Sequence, residues 1–428
     1  MTPFLQFALA LAILIAAAKI GGFFSYRLGQ PSVLGELLAG ILLGPSLVNL
    51  LHLHIFTDQH LAQVIHELAE IGVLLLMFLA GIELQLTDLA KTGRVAALAG
   101  TLGVFFPLLL GMGAGLLFGM ERVQAVFLGL VLAATSVSIS AQTLMELGTL
   151  RSRVGISLLG AAVFDDVLVV LALSIFTALT GPDAERGWGP VLVTVARMLL
   201  FLGLGGAIGL LVLPRTSRRV SRLPVSQGLV AFTMVTILIY GWAAEMFGSM
   251  AAITGAFLVG LIFARSPVKE RVESGIVALA YGLFVPIFFI NVGLTADLRQ
   301  LVGGGNLALF IVMSLVAVVG KVLGAGLGGR LGGLAWNEAL QLGIGMISRG
   351  EVGLIVATVG VSQQMITPAV FSAVVGVIIL TTLVTPPLLR VAFRPRPAAA
   401  RPAPASETQP DSQVIKEGED ELPGGNHH

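Results

Sequence analysis

Thirteen apolar runs, separated by short polar or basic breaks, follow one another along most of this chain. They fall at about 4–26, 33–50, 63–82, 95–119, 123–145, 154–181, 189–213, 226–247, 250–264, 275–296, 305–329, 334–362 and 366–390. A hydrocarbon layer about 30 Å thick takes roughly 20 residues of α-helix to cross. Inside that layer no water is at hand for backbone N–H and C=O groups, so a spanning segment satisfies them itself or joins a closed barrel. Continuous runs of this length predict an all-α polytopic membrane protein with about 13 transmembrane helices. Composition agrees, since 56% of the 428 residues are hydrophobic and 11% are charged, far more apolar sequence than a soluble core uses. The absence of cysteine excludes disulfides, thiol catalysis and thiolate metal sites. The first run has no basic leader and no cleavage motif, so it reads as a retained helix.

The breaks fix an orientation. With the N-terminus outside, the inner breaks hold Arg27, Lys91, Arg94, Arg151, Arg153, Arg215, Arg218, Arg219, Arg222, Arg265, Lys269, Arg271, Arg330, Arg390, Arg394 and Arg396, against Arg122, Arg186 and Arg299 outside. The positive-inside rule then puts the C-terminus in the cytoplasm. If the seventh span is a linker, spans 1–6 and 8–13 enter the membrane from opposite sides and form an inverted repeat. GELLAGILLGPS at Gly35–Ser46 and GAFLVGLIFARS at Gly255–Ser266 occupy matching places in the two halves. Such repeats place a transport site near the bilayer midplane. Residues 391–428 turn to Pro, Ala, Ser and acids, and read as a disordered cytoplasmic tail.

Within this apolar background the charged residues stand out. Asp165 and Asp166 are adjacent in AAVFDDVLVVL, and an ionised group at the middle of a spanning helix costs roughly 2.5–3.5 kcal/mol on insertion scales. About 100° separates helical neighbours, so both carboxylates are expected to face one cavity from different angles. They read as a cation and proton site, or as a buried ion pair fixing helix packing. Lys321, in VVGKVLGAG of span 11, either loses its proton or finds a carboxylate, and Asp165 is the natural candidate. That pair either breaks when the aspartate takes a cation or is permanent. Span 5 carries Thr135, Ser136, Ser138 and Ser140 in seven residues, ready to replace part of a cation's hydration shell if the helix is unwound, or to back-bond within an intact one. Span 12 carries Arg349 and Glu351 around Gly350, which suggests a second interrupted helix whose ends these charges neutralise, touching an ion only indirectly. Asn291 places a polar group at depth after Pro286, where a kink is expected. Glu36, Glu67, Glu70 and Glu83 are candidates to line an aqueous funnel, and Arg197 has no assigned role. Gly324, Gly326 and Gly329 satisfy a dinucleotide pattern but follow no strand, so they serve close packing, and no cofactor is expected.

Together these residues resemble the NapA-type bacterial sodium/proton antiporters of the monovalent cation/proton antiporter-2 family. The resemblance covers about residues 4–390 and rests on GQPSVLGELLAGILLGPSLV (Gly29–Val48), LAATSVSISAQTLMELG (Leu132–Gly148), GAAVFDDVLVV (Gly160–Val170), GKVLG (Gly320–Gly324) and SRGEVGLIVA (Ser348–Ala357). It implies thirteen helices in a bacterial inner membrane, with two crossing discontinuous helices. Spans 1–3 and 8–10 would form a dimerisation part, spans 4–6 and 11–13 an ion-carrying part, and span 7 the link between them, all within residues 1–390. It implies Asp166 as the ion- and proton-binding aspartate, and Asp165 as its neighbour paired with Lys321. Thr135 and Ser136 match the unwound stretch of one crossing helix, and Glu351 the glutamate of the other. Potassium-efflux relatives usually have Gln-Asp here and a nucleotide-binding C-terminal domain.

The reading that follows is a homodimeric secondary transporter, not an enzyme, exchanging Na⁺ (with Li⁺ or K⁺ as alternatives) for H⁺ across the bilayer, with no nucleic acid involved. A potassium/proton exchanger of the same fold is the alternative. Of other classes, an intramembrane aspartyl protease needs two aspartates facing each other from separate helices, and a passive channel needs no titratable pair beside an intramembrane lysine.

Overall fold

Why the chain folds into so many separate helices is visible at their ends. The computed structural model describes residues 1–84, 86–180, 189–295, 307–362 and 365–394, leaving aside the side chains of 86–90, 177, 178, 351, 354, 355, 358, 359, 362, 368 and 369. Arg186, Arg299 and the tail from 395 onward therefore lie outside the described residues. Helix α1 (Pro3–Arg27) starts with Pro at its first turn and a Thr2 cap, and α2 (Ser32–Leu43) follows Pro31 and stops at Gly44. Then come α3 (Leu61–Glu83), α4 (Leu86–Leu117), α5 (Arg122–Ala133), α6 (Val137–Glu146) and α7 (Arg153–Thr180). After them come α8 (Gly189–Leu200), α9 (Gly206–Val220), α10 (Gly228–Met246), α11 (Ala252–Phe263), α12 (Lys269–Leu279) and α13 (Val285–Leu294). The last four are α14 (Leu307–Leu331), α15 (Trp336–Gly345), α16 (Glu351–Ser362) and α17 (Pro368–Ala392). Every apolar interval of the sequence holds helix. Among the described residues, ten helical spans are long and apolar enough to cross a membrane, and α2 and α11 are shorter apolar helices. The protein is a multi-pass membrane protein, and no strand occurs among the described residues.

Two spans continue through a π-helical turn, at Phe201–Gly205 between α8 and α9 and at Ala280–Phe284 between α12 and α13. The second lies just ahead of Pro286, where the sequence predicts a kink; a proline removes one helical N–H, and a widened turn absorbs the mismatch. The first is used by Tyr240, whose hydroxyl donates to Gly205 O at 3.0 Å. Arg197, without a role in the sequence reading, closes the end of α10 by donating through Nε to Phe247 O at 3.0 Å and through its guanidinium to Met246 O. A cation at a helix C-terminus satisfies carbonyls that have no N–H left to accept from.

Packing follows the small residues. Helices gain little from the hydrophobic effect against one another in lipid, so close backbone approach and dispersion carry the contact. A side chain at Gly35 of α2 would strike the carbonyl of Gly21 in α1, and one at Gly40 the carbonyl of Ile290 in α13. The aligned glycines of α11 repeat this: Gly255 is pressed against Tyr240 O of α10, and Gly260 against Phe78 O of α3. Gly324, read as a packing residue, abuts Leu102 of α4, while Gly326 and Gly329 face Ala339 and Leu342 of α15. One apolar core joins Leu75, Leu76 and Phe78 with Phe257, Phe263 and Phe289. A second joins Phe127 and Val131 with Met313, Ala317 and Val377. Burial grades the spans: 83% of the Arg122–Glu146 window is buried against 17% of Gly189–Val220, so the former is central and the latter peripheral.

Candidate functional site

The centre of the molecule is where two helices stop and restart. α5 ends at Ala133, Ala134 and Ser136 are extended, and α6 begins at Val137. α15 ends at Gly345 and α16 begins at Glu351. The two gaps cross and bond to each other. Ser136 N donates to Ser348 O at 2.9 Å, Ser348 Oγ to Ser136 O at 2.5 Å, and Ser140 Oγ to Gly345 O at 2.6 Å. The broken stretch at Thr135 and Ser136 is thus the unwound form of the two weighed from the sequence. Its hydroxyls remain partly unused: Ser136 Oγ is buried without a hydrogen-bond partner among the described residues, and Thr135 Oγ1 reaches Ala133 O only at 3.5 Å. Ser138, two residues after Ser136, points to Met77 Sδ at 3.7 Å.

Arg349 explains how the crossing tolerates its free carbonyls. It is 1% exposed and donates to Leu132 O (2.7 and 3.2 Å), Ile347 O (2.6 Å) and Ala317 O (2.9 Å). Its own carbonyl accepts from Thr382 Oγ1 at 2.7 Å. The planar guanidinium suits this task because several donors diverge from one rigid group. Glu351 opens α16, and its side chain lies outside the described residues.

α7 brings the aspartates alongside. Asp165 and Lys321 are both fully buried, with Lys321 Nζ donating to Asp165 Oδ1 at 2.6 Å. The second carboxylate oxygen, Asp165 Oδ2, is buried with no hydrogen-bond partner among the described residues. Asp166 turns elsewhere. It is half-buried and lines a small pocket with Met77 of α3, Val137 of α6, Leu159, Ala162 and Val163 of α7, and Ile253, Thr254 and Phe257 of α11. The expectation of one shared cavity is corrected here: the 100° step between neighbours sends Asp165 against α14 and Asp166 towards α11. Chemically, the pair gives one carboxylate already neutralised by an ammonium and one that lines a pocket.

The other named residues lie in different surroundings. Asn291 is buried and contacts His66 Nδ1 at 3.1 Å, and His66 contacts Glu70 at 3.4 Å, so it belongs to an α3–α13 contact. Glu67 and Glu70 are not buried, Glu36 is, and Glu83 reaches Arg151 at 3.9 Å. Sequence reasoning passed over Thr254, which is one hydroxyl among many, and Glu146, which accepts from Ser32 N at 2.6 Å and Ser32 Oγ at 2.5 Å and so caps α2 from the end of α6.

Known proteins share this arrangement of sequence. The family model described as sodium/hydrogen exchanger, transmembrane, matches residues 10–394. The Na(+)/H(+)-K(+) antiporter GerN of Bacillus cereus is 37% identical over 390 residues, covering 91% of this chain and 96% of its own. The Na(+)/H(+) antiporter of Enterococcus hirae is 34% identical over 390 residues, covering 90% and 98%. Among solved structures, the sodium proton antiporter MjNhaP1 of Methanocaldococcus jannaschii superposes with a TM-score of 0.65 over 92% of this chain and 99% of its own. Its 16% identity makes that a likeness of fold alone. This chain belongs to the sodium/hydrogen exchanger family.

Proposed function

We propose that the protein is a secondary active cation/proton antiporter, exchanging Na⁺ for H⁺ by alternating access, with Asp166 as the group that carries either ion. The observation that supports this most is the division of labour between adjacent carboxylates: Asp165 is tied to Lys321 at 2.6 Å, while Asp166 lines a pocket beside the crossing of two broken helices. Protons and a bare cation compete for one carboxylate, and that competition is what couples their fluxes. Thr135, Ser136 and Ser138 supply neutral oxygens at the crossing, and Arg349 keeps the helix ends satisfied so that this backbone tolerates burial. Glu351 and Asn291 are assigned supporting roles.

The charge balance of the cycle is simple. In the proton-loaded state Asp166 is protonated and Lys321 is an ammonium paired with Asp165. Sodium binding at Asp166 releases that proton, and Lys321 gives up its own as sodium enters, so two protons exchange for one Na⁺. The family and relatives are transporters, and adjacency of the aspartates on one helix speaks against a protease, whose pair must face a scissile bond from two sides. A potassium/proton exchanger is the second reading, favoured by the name of the Bacillus cereus relative, a Na(+)/H(+)-K(+) antiporter.

The matched glycine contacts support an inverted repeat, because α2 on α1 and α13 mirrors α11 on α10 and α3. On that reading α1–α3 and α10–α13 form the dimerisation part, α4–α7 and α14–α17 carry the ion, and the π-interrupted, peripheral α8–α9 span links them. The setting is a bacterial inner membrane with the C-terminus inside. The deciding experiment is cation-driven dequenching of a pH dye in proteoliposomes, with Na⁺, Li⁺ and K⁺ supplied in turn. Asp166→Asn abolishes exchange while leaving the melting profile intact; activity near wild type in that variant removes Asp166 from the site.

A further inference from the structure

Thr254 is 4% exposed, and its Oγ1 is buried with no hydrogen-bond partner among the described residues. Among the described residues the half-buried Thr149 shares that condition, whereas fully buried threonines within helices do not. Thr143 donates to Ile139 O, Thr233 to Leu229 O and Thr381 to Val377 O, each at 2.8 Å, bonding back one helical turn. Thr254 sits in the first turn of α11, whose N-cap is Ala251, so the carbonyl one turn back lies outside the helix. A buried hydroxyl left unpaired is a cost the fold carries without structural return.

Its position gives the return. Thr254 lines the same pocket as Asp166, from a different helix, and the remaining side chains there are Met77, Val137, Leu159, Ala162, Val163, Ile253 and Phe257. A cation that reaches Asp166 in this pocket therefore meets two side-chain oxygen sources, one on α7 and one on α11. We propose that Thr254 Oγ1 is a cation ligand supplied across the pocket to the ion held by Asp166, contributed by the helix bundle that faces the aspartates. This rests on the antiporter reading and deepens it: the ion carried on α7 also touches the part that faces it. A hydroxyl suits the place because its lone pairs coordinate Na⁺ and, when Asp166 carries a proton instead, its oxygen accepts that proton's hydrogen bond.

The test uses the full chain in proteoliposomes, reading dye-detected exchange over a sodium titration for wild type, Thr254→Val and Thr254→Ser, together with the melting temperature of each with and without NaCl. Valine keeps the shape and removes the oxygen. The KM for Na⁺ in Thr254→Val is expected to rise roughly tenfold, the scale of one hydrogen-bond-strength contact to a charge, with the maximal rate little changed. Thr254→Ser should behave as wild type. Without sodium, Thr254→Val should melt no lower than wild type, since it loses an unpaired polar group, and the sodium-induced rise in melting temperature should shrink. A wild-type KM in Thr254→Val, the same defect in Thr254→Ser, or a lower sodium-free melting temperature in Thr254→Val would overturn the proposal. Wild-type protein that exchanges no cation would overturn the antiporter reading itself, whereas active wild type with an unaffected Thr254→Val overturns only the ligand.

Discussion

Lys321 Nζ lies 2.6 Å from Asp165 Oδ1, and both side chains are fully closed off from solvent. Each charge offsets the cost of burying the other. Removing one partner of a buried pair typically costs about 3–5 kcal/mol, while replacing both by neutral groups is often neutral or better. Lys321→Gln and Asp165→Asn are therefore each expected to lower the melting temperature in detergent, and the double variant to melt above both. A double variant no more stable than the singles would mean the two charges do not depend on each other.

Arg349 makes a second, different demand on burial. Its guanidinium serves the carbonyls of Leu132, Ile347 and Ala317, and each carbonyl left unpaired costs about 1–3 kcal/mol. Arg349→Ala should lower the melting temperature more than Ser348→Ala does, and Arg349→Lys should recover only part of the loss, because an ammonium is a point charge without the fork. Equal stability of Arg349→Lys and wild type would show that charge alone is what the crossing needs.

These two residues also show how far the sequence carries. A buried ammonium has to find a carboxylate, and with Asp165 available at membrane depth the partner was legible before any coordinates. The breaks were legible too, because four hydroxyls around Ser136 and a charge pair around Gly350 sit badly in an uninterrupted apolar helix. Asp165 and Asp166 parting to different neighbours was not legible, since a 100° step on α7 has meaning only once α11 and α14 are in place. The cap of Glu146 on Ser32 joins residues 114 positions apart, and nothing local marks either one. Thr254 looked like any threonine until its missing partner and its place in the pocket of Asp166 were visible.

The glycine contacts make a prediction with opposite signs at different positions. Alanine is about 1 kcal/mol better than glycine within a helix when nothing is in the way. Gly113 has open space where a Cβ would go, whereas Gly40 faces Ile290 O and Gly260 faces Phe78 O. Gly113→Ala should keep or raise the melting temperature, and Gly40→Ala and Gly260→Ala should both lower it. If Gly40→Ala is harmless and Gly260→Ala is not, the matched packing of α2 and α11 has no energetic counterpart, and the repeat loses that support.

The last prediction concerns current. In the proposed cycle the proton-loaded site is neutral, with Asp166 protonated and Lys321 paired to Asp165, while the sodium-loaded site holds two carboxylates, one Na⁺ and an uncharged lysine. One net charge then crosses per turnover, worth about 2.3 kcal/mol per 100 mV, so an inside-negative potential drives proton entry and sodium export even without a pH gradient. The same stoichiometry sets the pH dependence. Protons compete with sodium, so the KM for Na⁺ rises as pH falls. By linkage the limiting rise is about 100-fold per pH unit if two protons leave for each Na⁺, and about tenfold if one does. Lys321→Gln removes the second proton carrier, so that variant either stops or continues as one-for-one exchange, without current and with the shallower slope. Solid-supported-membrane currents recorded beside dye-detected exchange decide between them. Exchange without current in the unmodified protein would sink the two-proton cycle whatever the variant does, because two protons exchanged for one Na⁺ must move net charge.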